Sequence, residues 1–493
     1  MLRSSGILLP MSALPSPHGI GTMGHAAYEF VDFLRRAHQT YWQLLPLGPT
    51  GYGDSPYSSF SSFAGNPYYI DLDLLAEEGL LLGEEVETPD WGDHPGWVDY
   101  GKIYNSRFAV LRLAYRRADG YCVDERAAFH AENADWLTDY TLYMAVKSHF
   151  DLAAWVDWPD EGIRLHRPEA VAIYSKMLRD EIGFYEFLQF LFFRQWENLR
   201  RYAHENGIQL IGDIPIYVAL DSADVWSAPG FFQLDEKNLP VEVAGVPPDA
   251  LNDEGQLWGN PLYDWERMRR DGYGWWIRRV GGAQKLYDVV RIDHFRGFES
   301  YWAVPSGDNT AQNGRWRPGP GMELVGLLTS WFPQLRFIAE NLGYLTPEVA
   351  QLLSDSGLPG MKILEFGFDP HSESDYAPHN CVYHSICYVG THDNETVTGW
   401  LEGAGKGCAA YAADYMHITP DEGWCWGMIR TGMSTASRLF IVQMQDVLEA
   451  PPWTRMNEPG IADGNWRWRL QPGEITPALT EKLREYTVRY RRG

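Results

Sequence analysis

The chain predicts an α/β fold, a (β/α)8 TIM barrel with helical and loop insertions. Eight short apolar runs alternate along its 493 residues with segments of helical periodicity, the count and order that close a parallel barrel. Acidic residues stand just past several of those runs, where such a barrel gathers its chemistry. Between the runs lie stretches too long to be simple connectors, which points to insertions. The whole chain, 1–493, reads as a single catalytic barrel domain, and no separate C-terminal β-sandwich is expected.

Residues 6–10 (GILLP) form the first run, and 26–38 follow with apolar residues at helical spacing. Residues 41–46 (YWQLLP) are the second strand and enter GPTGYGDSPYSSFSSFAGNPYYIDL, a long loop rich in Gly, Ser, Pro and Tyr. From about 72 to 180 helical patterns replace strand signals, as in 135–149 (DWLTDYTLYMAVKSH), so this region is expected to be a helical insertion subdomain. Residues 183–206 predict a long aromatic-rich helix that Gly207 terminates. The third strand is 209–218 (QLIGDIPIYV), with Asp213 inside it.

Residues 219–264 are dense in Pro, Gly, Asp and Trp and are expected to be a functional loop or lid over the site. A helix over 275–289 leads into the fourth strand, and 298–321 is a further insertion. Residues 322–331 predict a helix. The remaining strands are 335–339 before Glu340, 361–366, 386–390 before His392 and Asp393, and 439–444 before Asp446. Residues 451–493 carry an irregular Asn/Pro/Gly/Trp run and a final amphipathic helix, and no internal repeat is found.

The stretch 289–298 (VVRIDHFRGF) organises the chemistry. On a strand, positions i and i+2 share a face, so Arg291 and Asp293 point the same way. A guanidinium beside a carboxylate favours its ionised form, which suits a nucleophile, although a structural ion pair has the same pattern. Glu340 follows FIA, an apolar setting that raises a carboxyl pKa and suits a general acid; an exposed loop acid is the plain alternative. Asp393 lies between His392 and Asn394, where a helix N-cap is the competing reading. Three carboxylates at strand ends converge on one barrel face, and a nucleophile with an acid makes the pair of a retaining glycosidase.

The composition narrows the partners. A net charge of −25 with no basic run disfavours nucleic acid and anionic membranes and fits a neutral substrate. Aromatic residues make up 14% of the chain; their faces are sugar platforms or, more commonly, core filler. Cys122, Cys381, Cys387, Cys408 and Cys425 include no CxxC pair, which disfavours a disulfide framework or zinc site and fits a reducing, cytoplasmic setting. No apolar stretch approaches a membrane span, and the first residues lack a signal-peptide core. A monomer is compatible with this composition.

The motifs YGDSPYSSFSSFAGNPYYIDL, GDIPIYV, GVPPDALNDEGQLWGNPLYDW, RIDHFRGF, AENLG, KILEFGF, GTHDNET and RMNEPG run along nearly the whole chain. In them the sequence closely resembles the 4-α-glucanotransferases (amylomaltases, or disproportionating enzymes) of the α-amylase clan. The resemblance implies Asp293 as nucleophile, Glu340 as acid/base and Asp393 as transition-state stabiliser. It implies that Arg291 and His392 hold the sugar at the cleaved bond, with Asp213 and His294 close by, and that Tyr57 and Trp258 are sugar platforms. It makes 246–255, with Asp249 and Leu251, an acceptor-side lid, and adds Asn341, Phe366, Asn457 and Pro459 to the substrate contacts. Tyr52 and Tyr100 would belong to a secondary glucan site. The family usually has an aromatic at the position of Leu251 and aspartate at that of Asn341, so weaker acceptor stacking and an altered pH profile are expected. No metal or organic cofactor is implied, and there is no calcium-loop pattern. The implied activity passes α-1,4-glucan segments to the 4-hydroxyl of glucose or another glucan. An α-amylase-type hydrolase would share the three acids, with the lid-like PPDALNDEGQLWG stretch as the discriminator, and a non-catalytic glucan-binding protein is the remote alternative.

Overall fold

The structure, a computed structural model, describes residues 3–493 except Tyr52, 249–251, Tyr344 and Ala462, and Lys406 in its backbone only. Asp249, Leu251 and Tyr52 therefore lie outside the described residues, as does the tip of the expected lid.

Among the described residues twelve strands fall into two sheets. They are β1 (Ser4–Leu8), β2 (Tyr41–Gln43), β3 (Gln209–Ile214), β4 (Glu242–Val246), β5 (Gln256–Pro261), β6 (Val289–Ile292), β7 (Ser300–Pro305), β8 (Arg315–Pro318), β9 (Arg336–Ala339), β10 (Gly360–Ile363), β11 (Ser385–Tyr388) and β12 (Leu439–Gln443). The strands β1-β12-β11-β10-β9-β6-β3-β2 close a parallel barrel, with Gly6 opposite Tyr41 on one side and Ile441 on the other. All eight expected runs are barrel strands, though several end sooner. The third stops at Ile214, because Pro215 has no N–H for the ladder, and the sixth turns at Ile363 into a single 3-10 turn, Leu364–Phe366.

Side-chain alternation turns this register into two interior layers. Lower down, Leu8, Ile211, Val289, Ile338, Ile386 and Ile441 fill the barrel with apolar volume. Two residues further along the same strands come Asp213, Arg291, Glu340 and Gln443. Tyr388 Oη donates to Gln43 Oε1 at 2.9 Å, so even the buried polar layer is cross-linked. A second, larger core lies between the barrel and its helices.

Between β2 and β3 the chain is helical, with Tyr100–Arg116, Val123–His149 and Arg179–Glu205 the longest pieces. The helix expected at 135–149 begins at Val123, because its first three turns are largely exposed and carry little apolar periodicity. Gly207 follows Arg179–Glu205 at φ +75°, the left-handed stop that glycine accommodates.

One expectation needs correction. Segment 219–264, read as a loop or lid, and segment 298–321, read as a further insertion, together contain the four-stranded antiparallel sheet β5-β4-β7-β8. Each of β5, β7 and β8 ends on a proline, and none exceeds six residues, so the turn-rich composition masked them. Glu242 on β4 pairs with Arg315 (2.7 Å) and Arg317 (3.0 Å) of β8, tying the sheet across. Among the described residues no helix is long and apolar enough to cross a membrane.

Gly212 on β3 shows how tightly barrel and helix layer fit: a Cβ there would lie 2.2 Å from the Tyr287 ring, which is itself buried. Gly212→Ala should lower stability by roughly 1–3 kcal/mol through overpacking. Urea unfolding measures this directly, and an unchanged midpoint would mean the ring moves aside freely.

Candidate active site

The site is assembled at the carboxyl end of the barrel by the ladder itself. The Asp293 N–H donates to Ile214 O (2.9 Å) and the Glu340 N–H to Ile292 O (3.0 Å), so parallel pairing continues one residue past β6 and β9. The backbone then breaks away. His294 sits at φ +52°, a left-handed conformation uncommon for a side chain of its size, and opens the 3-10 turn Phe295–Phe298.

Arg291 is 2% exposed and its Nη1 donates to Asp213 Oδ2 (2.6 Å) and to Asp293 Oδ1 (2.8 Å). The expected i, i+2 juxtaposition is therefore present. Asp213 is fully covered and also accepts from Tyr57 Oη at 2.8 Å, whereas the Asp293 side chain is 28% exposed toward the opening. Burial pushes Asp213 up to about 6, with Asp293 adding to the rise and Arg291, His392 and Tyr57 opposing it.

Glu340 faces the same opening from β9. Its Oε2 accepts the His294 N–H at 2.7 Å and its Oε1 the Leu342 N–H. Burial pushes its pKa up to about 7, reinforced by Asp293, while Arg291 and the two N–H donors pull the other way. Glu340 is buried rather than exposed on a loop. His294 is held near 3 by burial and by Arg296, so its ring is neutral, edge-on to Trp258 at 4.8 Å.

Asp393 belongs to the loop after β11. The N-cap of the following helix is Thr396, so the capping alternative for Asp393 falls. Its Oδ1 accepts from Asn457 Nδ2 (2.6 Å) and its Oδ2 lies 3.2 Å from His392 Nε2. Burial alone would raise it, but His392, Asn457 and Arg291 outweigh burial and hold the carboxyl far below its ordinary range. Tyr57 stacks on His392 (5.2 Å, 16°), and Trp466 lies against both rings.

The other expected contacts are placed as follows. Asn341 Oδ1 accepts from the Met361 N–H at 2.7 Å, so that oxygen is committed to the start of β10. Phe366 is half-exposed at the rim beside Tyr376, and Pro459 is exposed after Asn457. Tyr100 Oη donates to Trp466 O at 2.8 Å, and its ring borders a cavity of about 490 Å3 beside the long loop after β2. No group of three or more metal-ligating side chains occurs among the described residues.

Several supporting residues escaped the sequence reading. Arg455 donates to Asp393 O (2.8 Å) and Asn457 O (2.7 Å) and pairs with Glu395. Asn394 accepts from Thr391 N and Oγ1, and Asp446 Oδ1 accepts the Val397 N–H at 2.8 Å. Burial holds Glu365 well above its usual range, with Asp446 and Glu395 adding to it, and lifts Asp446 to about 7. An acid inside the apolar run MKILEF was an available signal for Glu365; Trp466 offered none.

Known proteins resemble the chain along nearly its whole length. The family model described as 4-alpha-glucanotransferase (Glyco_hydro_77) matches residues 9–476. The 4-alpha-glucanotransferase of Streptococcus pneumoniae is 46% identical over 492 residues, covering 99% of this chain and 97% of that one. That of Thermus thermophilus is 45% identical, covering 98% and 97%. Amylomaltase from Streptococcus agalactiae, solved in complex with acarbose, superposes with a TM-score of 0.97 at 42% identity and full coverage of both chains. The chain belongs to the 4-α-glucanotransferase family.

Proposed function

We propose that this 4-α-glucanotransferase works by double displacement on α-1,4-glucans, with Asp293 as nucleophile, Glu340 as acid/base and Asp393 as stabiliser of the charged sugar. One observation carries the reading. Two carboxyls on adjacent strands are driven to opposite tasks: Arg291 holds Asp293 Oδ1 at 2.8 Å, while burial lifts Glu340 to about 7.

With Oδ1 held, Asp293 Oδ2 attacks the anomeric carbon as the glycosidic bond breaks. Glu340 gives its proton to the departing 4-oxygen, leaving a β-glycosyl ester on Asp293 and an ionised Glu340. The 4-hydroxyl of an acceptor then attacks the same carbon and passes its proton to Glu340. The ester bond breaks, and two inversions leave an α-linkage. Asp393, kept ionised, faces the positive charge that develops on the ring and hydrogen-bonds its hydroxyls. Arg291, His392 and Asp213 position that sugar, Tyr57 and Trp258 offer ring faces, and neutral His294 adds a contact without charge. Phe366, Asn341, Asn457 and Pro459 are proposed as further contacts along the chain, and Tyr100 with Tyr52 as a secondary glucan site. The segment 246–255, carrying Asp249 and Leu251 between β4 and β5, is proposed as the acceptor-side lid that favours sugar over water.

The deciding experiment is a maltotriose incubation that follows chain lengths and reducing ends. Longer maltooligosaccharides plus glucose at constant reducing ends support transfer, whereas rising reducing ends without longer chains would assign hydrolysis and remove the lid argument.

Asp293→Asn should cut transfer more than about a thousandfold with its unfolding midpoint retained; a folded, active variant refutes the nucleophile assignment. Glu340→Gln should fail on maltooligosaccharides yet form a covalent adduct with an α-glycosyl fluoride, whose leaving group needs no proton. Mass spectrometry of the intact protein reads the adduct, and its absence with a folded variant would reassign Glu340.

The raised Glu340 pKa also sets a sign. A carboxyl lifted from 4.5 to about 7 contributes stability below pH 4.5 that is lost as pH rises through 7. Glu340→Gln should therefore gain on the parent between pH 5 and 8, by up to about 3 kcal/mol. Denaturant unfolding of both proteins across that range measures the difference, and parallel curves would contradict the burial argument.

A further inference from the structure

The turn between β7 and β8, residues 306–314, takes no part in the site described so far. It reaches across to residues 252–255, the arm that descends from the proposed lid into β5. The Ala311 N–H donates to Glu254 O (2.9 Å), and Gln312 Nε2 donates to Asp253 O (2.9 Å). Both carbonyls belong to a turn that is closed on itself. Asn252 Nδ2 donates to Gly255 O (2.9 Å), and the Gly255 N–H donates to Asn252 O (3.2 Å).

Packing makes this grip specific. Ala311 is fully buried and forms a small apolar core with Val243 and Val304, against which Trp302 packs. Gly255 sits at φ +69°, a conformation that glycine accommodates. A Cβ there would lie 3.0 Å from the Ala311 Cβ and 2.4 Å from Val246 O, so both arms of the lid and the turn meet at this glycine. The turn is itself fixed from below. Trp302 Nε1 donates to Ala311 O (2.8 Å), and a Cβ on Gly314 would lie 2.1 Å from that nitrogen. Across the turn Asn313 Nδ2 donates to Asp308 Oδ2 at 3.1 Å.

The arm has need of such support. Val246 opposite Gln256 is the last pair of the β4–β5 ladder, so 252–255 lie beyond the bonds of the sheet and take their position from the turn. Two residues after Gln256, Trp258 meets His294 edge-on at 4.8 Å. Drift of the arm therefore reaches a ring that borders the proposed sugar path. A glycosyl-enzyme is released by whichever hydroxyl reaches its anomeric carbon. Water is abundant and needs no seat, whereas a sugar wins by being held in line.

We propose that Ala311 and Gln312 are positioning residues for acceptor transfer. By fixing the 252–255 arm they hold the acceptor side of the cleft in the shape that lets a sugar hydroxyl, and not water, release the glycosyl-enzyme. Neither residue touches the reacting atoms; both act through the arm. Formation of the glycosyl-enzyme, which needs no acceptor, does not depend on them. The proposal rests on the lid reading given above.

The test uses α-maltotriosyl fluoride with glucose, and chromatography separates maltotetraose, the transfer product, from maltotriose, the hydrolysis product. Ala311→Gly with Gln312→Ala should raise the maltotriose-to-maltotetraose ratio about fivefold, with a matching rise in half-saturating glucose. First-turnover fluoride release should stay within about twofold of the parent. Gln312→Ala alone, at an exposed position, should shift the ratio in the same direction. Gln312→Lys keeps a donor of similar reach and should partition like the parent. A ratio unchanged in the double variant would overturn the proposal. So would an equal loss of fluoride release, which would make the turn a support for the whole cleft. A chain with 249–254 replaced by two glycines tests the lid reading by itself. If its ratio rises while that of the double variant does not, the turn proposal alone fails. If it too partitions like the parent, the lid reading fails, a separate result.

Discussion

One buried guanidinium governs the site. Arg291 is the cation that Asp213, Asp293, Glu340 and Asp393 all face, and burial without counter-charge would cost it many kcal/mol. The balance cannot be met by ionising all four carboxyls around one positive charge in a low dielectric. The molecule divides the load instead. Asp293 takes a direct bond from Arg291, and Asp393 has its own donors in His392 and Asn457. Asp213 takes the shorter bond from Arg291, at 2.6 Å, and another from Tyr57, yet burial pushes both it and Glu340 upward. The contrast on which the proposed chemistry turns, one acid bonded to Arg291 and its neighbour lifted by burial, arises where β6 and β9 bring these groups together.

A second layer works behind it. The loop from Thr391 to Glu395 has no strand to hold it, so its shape comes from side chains on three other segments. Arg455 grips the Asp393 carbonyl, Asn457 its carboxylate, and Asp446 the Val397 N–H just beyond. Glu365 lies beneath, with Asn394 hydrogen-bonded to it. Such buried polar groups are costly unless paired, which makes the arrangement specific: few other loop conformations would satisfy them.

Much of this was legible in sequence because it follows local rules. The barrel strands announce themselves as short apolar runs. Arg291 and Asp293 share a face by period two, and the apolar residues before Glu340 foretell its environment. The second sheet was hidden, since β7 and β8 mix Trp, Arg and Pro and each pairs with a strand whose identity is equally weak. What could not be read was anything built from distant segments. Arg455 acts on Asp393 across 62 residues, and Trp466 reaches Tyr57 from the far end of the chain. Local propensity has no term for such meetings, which barrel closure creates.

The ladder bonds that carry Asp293 and Glu340 have a mechanical consequence. Each acid hangs from the carbonyl of the neighbouring strand, Ile214 for one and Ile292 for the other, so their spacing is set by strand separation and not by a mobile loop. Thermal breathing of the barrel carries the two together, like marks on one ruler. Heating should therefore not blur the chemistry gradually: loss of turnover and unzipping of the barrel become a single cooperative event.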